Sequence, residues 1–148
     1  MQRRSLALGL VLIIIGGLLL SGCSSTSSSA ANSNAVQTIQ VILSDASVKV
    51  NPEPVSAGTV NFVIRNHGAL EHEFVVLKTD LNASALQVPT GADKVDEEAS
   101  GQNVGETEGI SPGGSKELRL RLQPGNYVLL CNLPGHYEAG MRAAFQVK

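Results

Sequence analysis

The sequence predicts an all-β domain, an antiparallel sandwich or barrel. Short runs alternate apolar and polar residues with a period of two, as strands with one buried face do. Gly/Pro-containing turns, "NPEPVSAG", "NHGALE", "SPGGS" and "QPGN", separate those runs. One long interruption, Thr79 to Ile110, breaks the pattern.

The strands follow in order. "TIQVIL" (Thr38 to Leu43) places Ile39, Val41 and Leu43 on one side, and "SVKV" (Ser47 to Val50) alternates after it. "TVNFVIRN" (Thr59 to Asn66) puts Val60, Phe62 and Ile64 on one face. "HEFVVLK" (His72 to Lys78) comes next. "KELRLRL" (Lys116 to Leu122) alternates most cleanly, with its leucines inward and Glu117, Arg119 and Arg121 outward. "NYVLLC" and "MRAAFQVK" close the chain. Within the interruption, "DLNASALQ" reads as a short helix with Asp80 as its N-cap, and "DKVDEEA" as a further helical turn. The interruption is thus a long acidic, partly helical insertion.

The N-terminus has a different origin. Arg3 and Arg4 precede an apolar run from Leu6 to Leu20, the layout of a secretory signal peptide. That run is 15 residues long, short of the roughly 20 that a membrane-spanning helix needs. An uncleaved anchor helix is the alternative. "LSGC" (Leu20 to Cys23) then resembles the lipobox of bacterial lipoproteins, which implies cleavage after residue 22 and acylation of Cys23. The Ser-rich stretch from Ser24 to Ala35 has nothing to bury and reads as a flexible tether. The domain organisation is therefore a signal peptide over 1–22, a lipidated cysteine and tether over 23–35, and one folded domain over 36–148.

Charge excludes one class of function. Without Arg3 and Arg4, 9 of the 11 basic residues remain against 13 acidic ones, a net charge of −4. Nucleic-acid binding needs a basic surface, so it is not expected. The acidic stretch from Asp93 to Glu108 reads as a solvated loop, with docking of a basic partner as the alternative. The chain has two cysteines. With Cys23 lipidated, Cys131 has no disulfide partner, and a lone thiol outside the cytoplasm needs burial, modification or a ligand.

Cys131 begins the segment "CNLPGHYEAGM", in which Cys131, His136 and Met141 are separated by four residues each. Strand parity adds His72. His72, Phe74 and Val76 share one face; so do Tyr127, Leu129 and Cys131, and Met141, Ala143, Phe145 and Val147. With those faces inward, His72, Cys131 and Met141 lie at strand ends and point into one end of the core. Thiolate and thioether are soft donors and imidazole is borderline, a mixture that suits copper in either oxidation state. Pro134 and Gly135 supply the turn that brings His136 back over Cys131. A Cys131–His136 nucleophile and base pair is the competing reading, but no third group orients it. The third histidine, His67, sits in a turn and reads as exposed. Asn82 opens an "NAS" sequon with no meaning in a bacterial lipoprotein.

Together, "CNLPGHYEAGM", the upstream "HEF" and "GTVNFVIRN" resemble the cupredoxins, or blue copper proteins. The likeness is to lipid-anchored bacterial members related to sulfocyanin, rusticyanin and auracyanin, and it covers 36–148. The resemblance implies a two-sheet Greek-key β-sandwich with one type 1 copper ion at one end. It implies imidazole ligation by His72 and His136 through Nδ1, a thiolate from Cys131 and an axial thioether from Met141. It makes His136 the ligand nearest solvent, ringed by an apolar electron-transfer patch of Leu133, Pro134, Tyr137 and Ala139. Many cupredoxins carry Asn directly after the first His. Here Glu73 stands there, so Asn66 or backbone amides must brace the ligand loop instead.

The function implied is single-electron shuttling by Cu(I)/Cu(II) cycling, outside a membrane, by a lipid-tethered monomer that is not an enzyme. Redox partners of the cytochrome or oxidase class follow from that reading. The alternative function is copper binding, delivery or tolerance through the same ligands. A metal-free adhesion or accessory domain is disfavoured by the complete ligand set.

Overall fold

The computed structural model describes residues 35–148. The signal peptide, Cys23 and nearly all of the tether lie outside the described residues. The elements, in chain order, are β1 (Gln37–Ser44), β2 (Ser47–Asn51), β3 (Gly58–Asn66), β4 (His72–Lys78), α1 (Glu97–Ser100), β5 (Gln102–Ile110), β6 (Ser115–Leu122), β7 (Gly125–Leu130), α2 (His136–Ala139) and β8 (Arg142–Val147). They form two four-stranded sheets, ordered β2-β1-β3-β6 and β5-β4-β7-β8. The seven strands read from alternation are all present, each within a residue or two of its expected bounds.

The period-2 faces meet as expected. Ile39, Val41, Leu43, Val60, Phe62 and Ile64 from the first sheet face Phe74, Val76, Tyr127, Leu129, Cys131, Phe145 and Val147 from the second, all buried in one cluster. Phe62 stands at its centre, with ring centroids 5.4 Å from Phe74 and 5.7 Å from Phe145. Tilted and edge-on contacts at these distances are favourable for aromatic rings.

Two expectations are corrected. The strands are not all antiparallel, because β1 and β3 pair in parallel. The reason is the connection between β2 and β3. It leaves the first sheet and runs along β8, where Val55 N–H bonds to Gln146 O and Ala57 N–H to Lys148 O. It then returns beside β1 in the same direction. The helix expected over "DLNASALQ" does not form. Asn82 bonds its own turn, accepting from the Ser84 amide at 2.9 Å, and Asp80 accepts from the Asn126 side chain instead of capping a helix. The helical turn expected in "DKVDEEA" exists as α1, capped by Asp96, whose carboxylate accepts from Ala99 N–H.

The acidic stretch is also not only a loop. Its second half is β5, which pairs with β4 across two register shifts. As an edge strand it is polar, and only Ile110 in it is fully buried. Such charge is how exposed sheet edges avoid further pairing. The first half of the insertion covers the outer face of the second sheet. Leu86 and Val95 there pack with Val75, Leu77, Val128, Leu130 and Tyr137 into a second, smaller core. This explains why β4 and β7 are buried on both faces and read as near-continuous apolar runs.

Candidate metal centre

Strand ends and one tight loop assemble the site. His72 is the first residue of β4, and Cys131 directly follows β7. The chain then turns over Pro134-Gly135, with His136 N–H bonded to Leu133 O at 3.0 Å, so His136 opens the four-residue helix α2. Two further backbone bonds close the loop. Met141 N–H donates to His136 O, and Cys131 N–H donates to Met141 O, both at 3.0 Å. Gly140 permits this closure. Its φ is +113°, and a Cβ there would lie 2.8 Å from the Ala46 carbonyl oxygen.

Three donor atoms converge. His72 Nδ1 lies 3.2 Å from His136 Nδ1, and Cys131 Sγ lies 3.3 Å from His136 Nδ1 and 3.9 Å from His72 Nδ1. The centre of a triangle with these edges is about 2.0 Å from each corner, close to metal–imidazole and metal–thiolate bond lengths of about 2.0–2.3 Å. The donor set therefore fits a single ion. His72 and Cys131 are fully buried, while His136 is partly exposed. Met141 is fully buried in the same cluster as Cys131. His67 is exposed, as its turn position predicts.

The protonation states suit ligation. Burial, and then the nearby His136, push the His72 imidazole below its usual pKa, which favours the neutral ring a metal needs. Burial pushes the Cys131 thiol up, opposed by hydrogen bonds from the Glu73 and Leu133 amides. Ion binding must therefore displace a proton from a thiol that burial keeps protonated.

The residues expected to brace the loop divide the work. Glu73 acts through its backbone, donating its N–H to Cys131 Sγ at 3.4 Å. Its side chain is buried and its carboxyl pushed up by burial, with Lys94 nearby opposing. Asn66 is fully buried and ties the segment leading into His72. Its Oδ1 accepts from Gly68 N–H at 2.8 Å, and its Nδ2 donates to Leu70 O at 2.7 Å and Ile110 O at 2.8 Å.

The apolar ring around His136 needs one correction. Pro134 and Ala139 are exposed and Leu133 is half-buried, but Tyr137 is only 5% exposed. Its hydroxyl accepts from Leu86 N–H at 3.0 Å and donates to Ala83 O at 2.8 Å, so the insertion captures it. The Arg142 guanidinium covers its ring, 4.8 Å from the centroid. Two contributors were not anticipated. Asn132, directly after Cys131, accepts from Val95 N–H at 2.7 Å and donates to Glu97 at 2.8 Å, fastening the ligand loop to the insertion. Asp45, in the β1–β2 turn, lies 3.3 Å from His72 Nε2. An Asp between two strands reads as an ordinary turn residue, and an Asn inside the loop as part of the turn, so neither stands out in sequence.

Comparison with known proteins agrees with this geometry. Residues 23–148 match the sulfocyanin (SoxE) domain. The chain belongs to the sulfocyanin family. It is 30% identical over 133 residues to the copper-resistant cuproprotein CopI of Pseudomonas aeruginosa, covering 72% of this chain and 74% of that protein. It is 31% identical over 131 residues to CopI of Vibrio cholerae, covering 82% and 72%. Its fold matches auracyanin A, a "blue" copper protein from Chloroflexus aurantiacus, with a TM-score of 0.57 at 20% identity, covering 77% of this chain and 100% of that one. Rusticyanin from Thiobacillus ferrooxidans matches with a TM-score of 0.52 at 20% identity over 80% and 84% of the two chains. This sulfocyanin-family chain is thus a cupredoxin, a copper protein taking one ion. His72, Cys131 and His136 are the residues that would hold it.

Proposed function

We propose that this cupredoxin carries single electrons between redox proteins. Copper supplies the one-electron couple, and the protein holds the donors still while the charge changes. One observation supports this reading above the others. The donors are fixed by backbone bonds, and two of the three are fully buried. A site that hands its metal on needs exposed, exchangeable ligands. This one is sealed except at His136, beside exposed Pro134 and Ala139. That edge is the route for electrons to a cytochrome- or oxidase-class partner. Met141, buried in the same cluster as Cys131, would add a weak thioether donor, and four protein donors would leave no open position for a substrate. The protein is therefore a carrier rather than an enzyme, acting as a monomer.

The test is to load the purified protein with Cu(II) and record visible and EPR spectra, then titrate it reversibly with a redox couple. An intense blue band with small hyperfine splitting and reversible cycling is expected. A pale spectrum with large splitting, or copper lost rapidly to a mild chelator, would sink the electron-carrier reading. Copper tolerance is the second reading, favoured by the relatives called copper-resistant cuproproteins. Fast copper release with a growth defect on copper in a deletion strain would support it.

Two expectations follow from the proposed roles. Met141→Leu should keep the blue band and raise the reduction potential, because the thioether that would favour Cu(II) is gone. An unchanged potential would remove Met141 from the ligand set. We further propose an extracytoplasmic location with lipid on Cys23. Among the described residues no helix is long and apolar enough to cross a membrane. Cys23→Ala should move the protein from the membrane to the soluble fraction, and continued membrane retention would refute the acylation.

A further inference from the structure

We propose that Asp45 is a positioning residue for His72, holding its Nε2–H with a carboxylate and biasing the bound copper toward Cu(II). This rests on the reading that His72 ligates through Nδ1.

One ring nitrogen of His72 is buried without a hydrogen-bond partner among the described residues. His72 Nδ1 faces the other two donors, so the neutral ring must carry its proton on Nε2. That atom is fully buried and makes no hydrogen bond of good geometry among the described residues. A buried N–H without an acceptor is costly. The acceptor at hand is Asp45 Oδ1, 3.3 Å away, within ion-pair distance but off the ideal line. A metal-bound histidine is commonly oriented by a carboxylate or carbonyl on its other nitrogen.

The neighbourhood is built around this contact. Asp45 Oδ1 also accepts from Ala69 N–H at 2.9 Å and Leu70 N–H at 3.1 Å, which aims the carboxylate at the segment before His72. Two amide hydrogens donated into this oxygen favour the carboxylate form. Gly68 is needed for the approach. A Cβ there would collide with Asp45 Oδ1 and stand 2.8 Å from His72 Nε2. The next residue, Ala46, abuts Gly140 on the far side of the ligand loop. The β1–β2 turn therefore touches both halves of the site.

The consequence is electrostatic. A carboxylate on the imidazole increases its basicity and favours the more highly charged ion. The Asp45 side chain is 42% exposed, so solvent screens it and the effect is moderate. Asp45→Asn separates charge from structure, since the amide oxygen can still accept from Ala69 and Leu70 while the negative charge is lost.

In the copper-loaded protein, Asp45→Asn should weaken Cu(II) binding about tenfold relative to Cu(I). For a one-electron couple that is a rise in potential of about 59 mV. Asp45→Ala should add a fall in thermal stability that Asp45→Asn does not show. An independent reading uses the wild type loaded with Cu(I), in which NMR should find a slowly exchanging His72 Hε2 proton. A blue wild type whose potential is unmoved by Asp45→Asn overturns the proposal, as does a rapidly exchanging Hε2. Should Asp45→Asn fail to fold, the wild-type exchange rate decides. A wild type with no thiolate-to-copper band removes the underlying ligand assignment instead, a separate failure.

Discussion

Cys131→Ser should abolish the blue absorption completely while leaving the domain folded. Cys131 is the free thiol among the described residues, and its Sγ is a corner of the donor triangle. Serine is slightly smaller, and its hydroxyl can accept the amide hydrogens that reach Sγ, from Glu73 at 3.4 Å and from Leu133. The fold should therefore lose only about 1 kcal/mol, as for an ordinary point substitution. The chemistry loses far more. A serine hydroxyl keeps its proton at neutral pH and is a hard donor, so the soft corner of the site is gone. Copper affinity should fall by at least about 100-fold, the upper end of what even a supporting group contributes. Visible spectroscopy, a copper-binding titration and a melting curve check the three parts. A serine variant that stays blue would overturn the ligand assignment.

How much of this was legible in sequence depends on whether a residue's surroundings are local. Leu118, Leu120 and Leu122 announce their strand because the polar residues between them must face water. Cys131, His136 and Met141 are legible because one loop carries them all. His72 is legible because parity places it on the face of Phe74 and Val76. β5 was hidden because an edge strand need not bury alternate residues, and "QNVGETEGI" carries one fully buried side chain. Tyr137 was misplaced for a related reason. Its neighbours in the loop face solvent, while its partners, Ala83 and Leu86, lie 54 and 51 residues earlier in an insertion with no regular pattern. Asp45 is 27 residues ahead of His72 by number, and only the parallel pairing of β1 with β3 brings the two together. Alternation predicts faces well but does not state which strands are neighbours.

Removing the side chain of Asn66, as in Asn66→Ala, should strongly destabilise the domain. Asn66 is fully buried at the end of β3 and its side chain makes three hydrogen bonds to backbone groups. One holds the turn at Gly68, one reaches Leu70, and one crosses to Ile110 at the end of β5, joining the two sheets at the metal end. Each such bond contributes about 1 kcal/mol net, and a buried carbonyl left unpaired costs a further 1–3 kcal/mol. The expected loss is about 4–6 kcal/mol, a fall in melting temperature of roughly 15–25 °C for a domain of this size. Copper binding should weaken with it, because the segment positioning His72 is released. Asn66→Asp is the sharper control. It keeps the shape and the Gly68 acceptor but turns an oxygen toward the Leu70 and Ile110 carbonyls. It should be at least as destabilising as alanine. If alanine costs under about 0.5 kcal/mol, within the range of a neutral surface substitution, then Glu73 and Leu133 amides alone brace the site. The side chain of Asn66 would then be incidental to it.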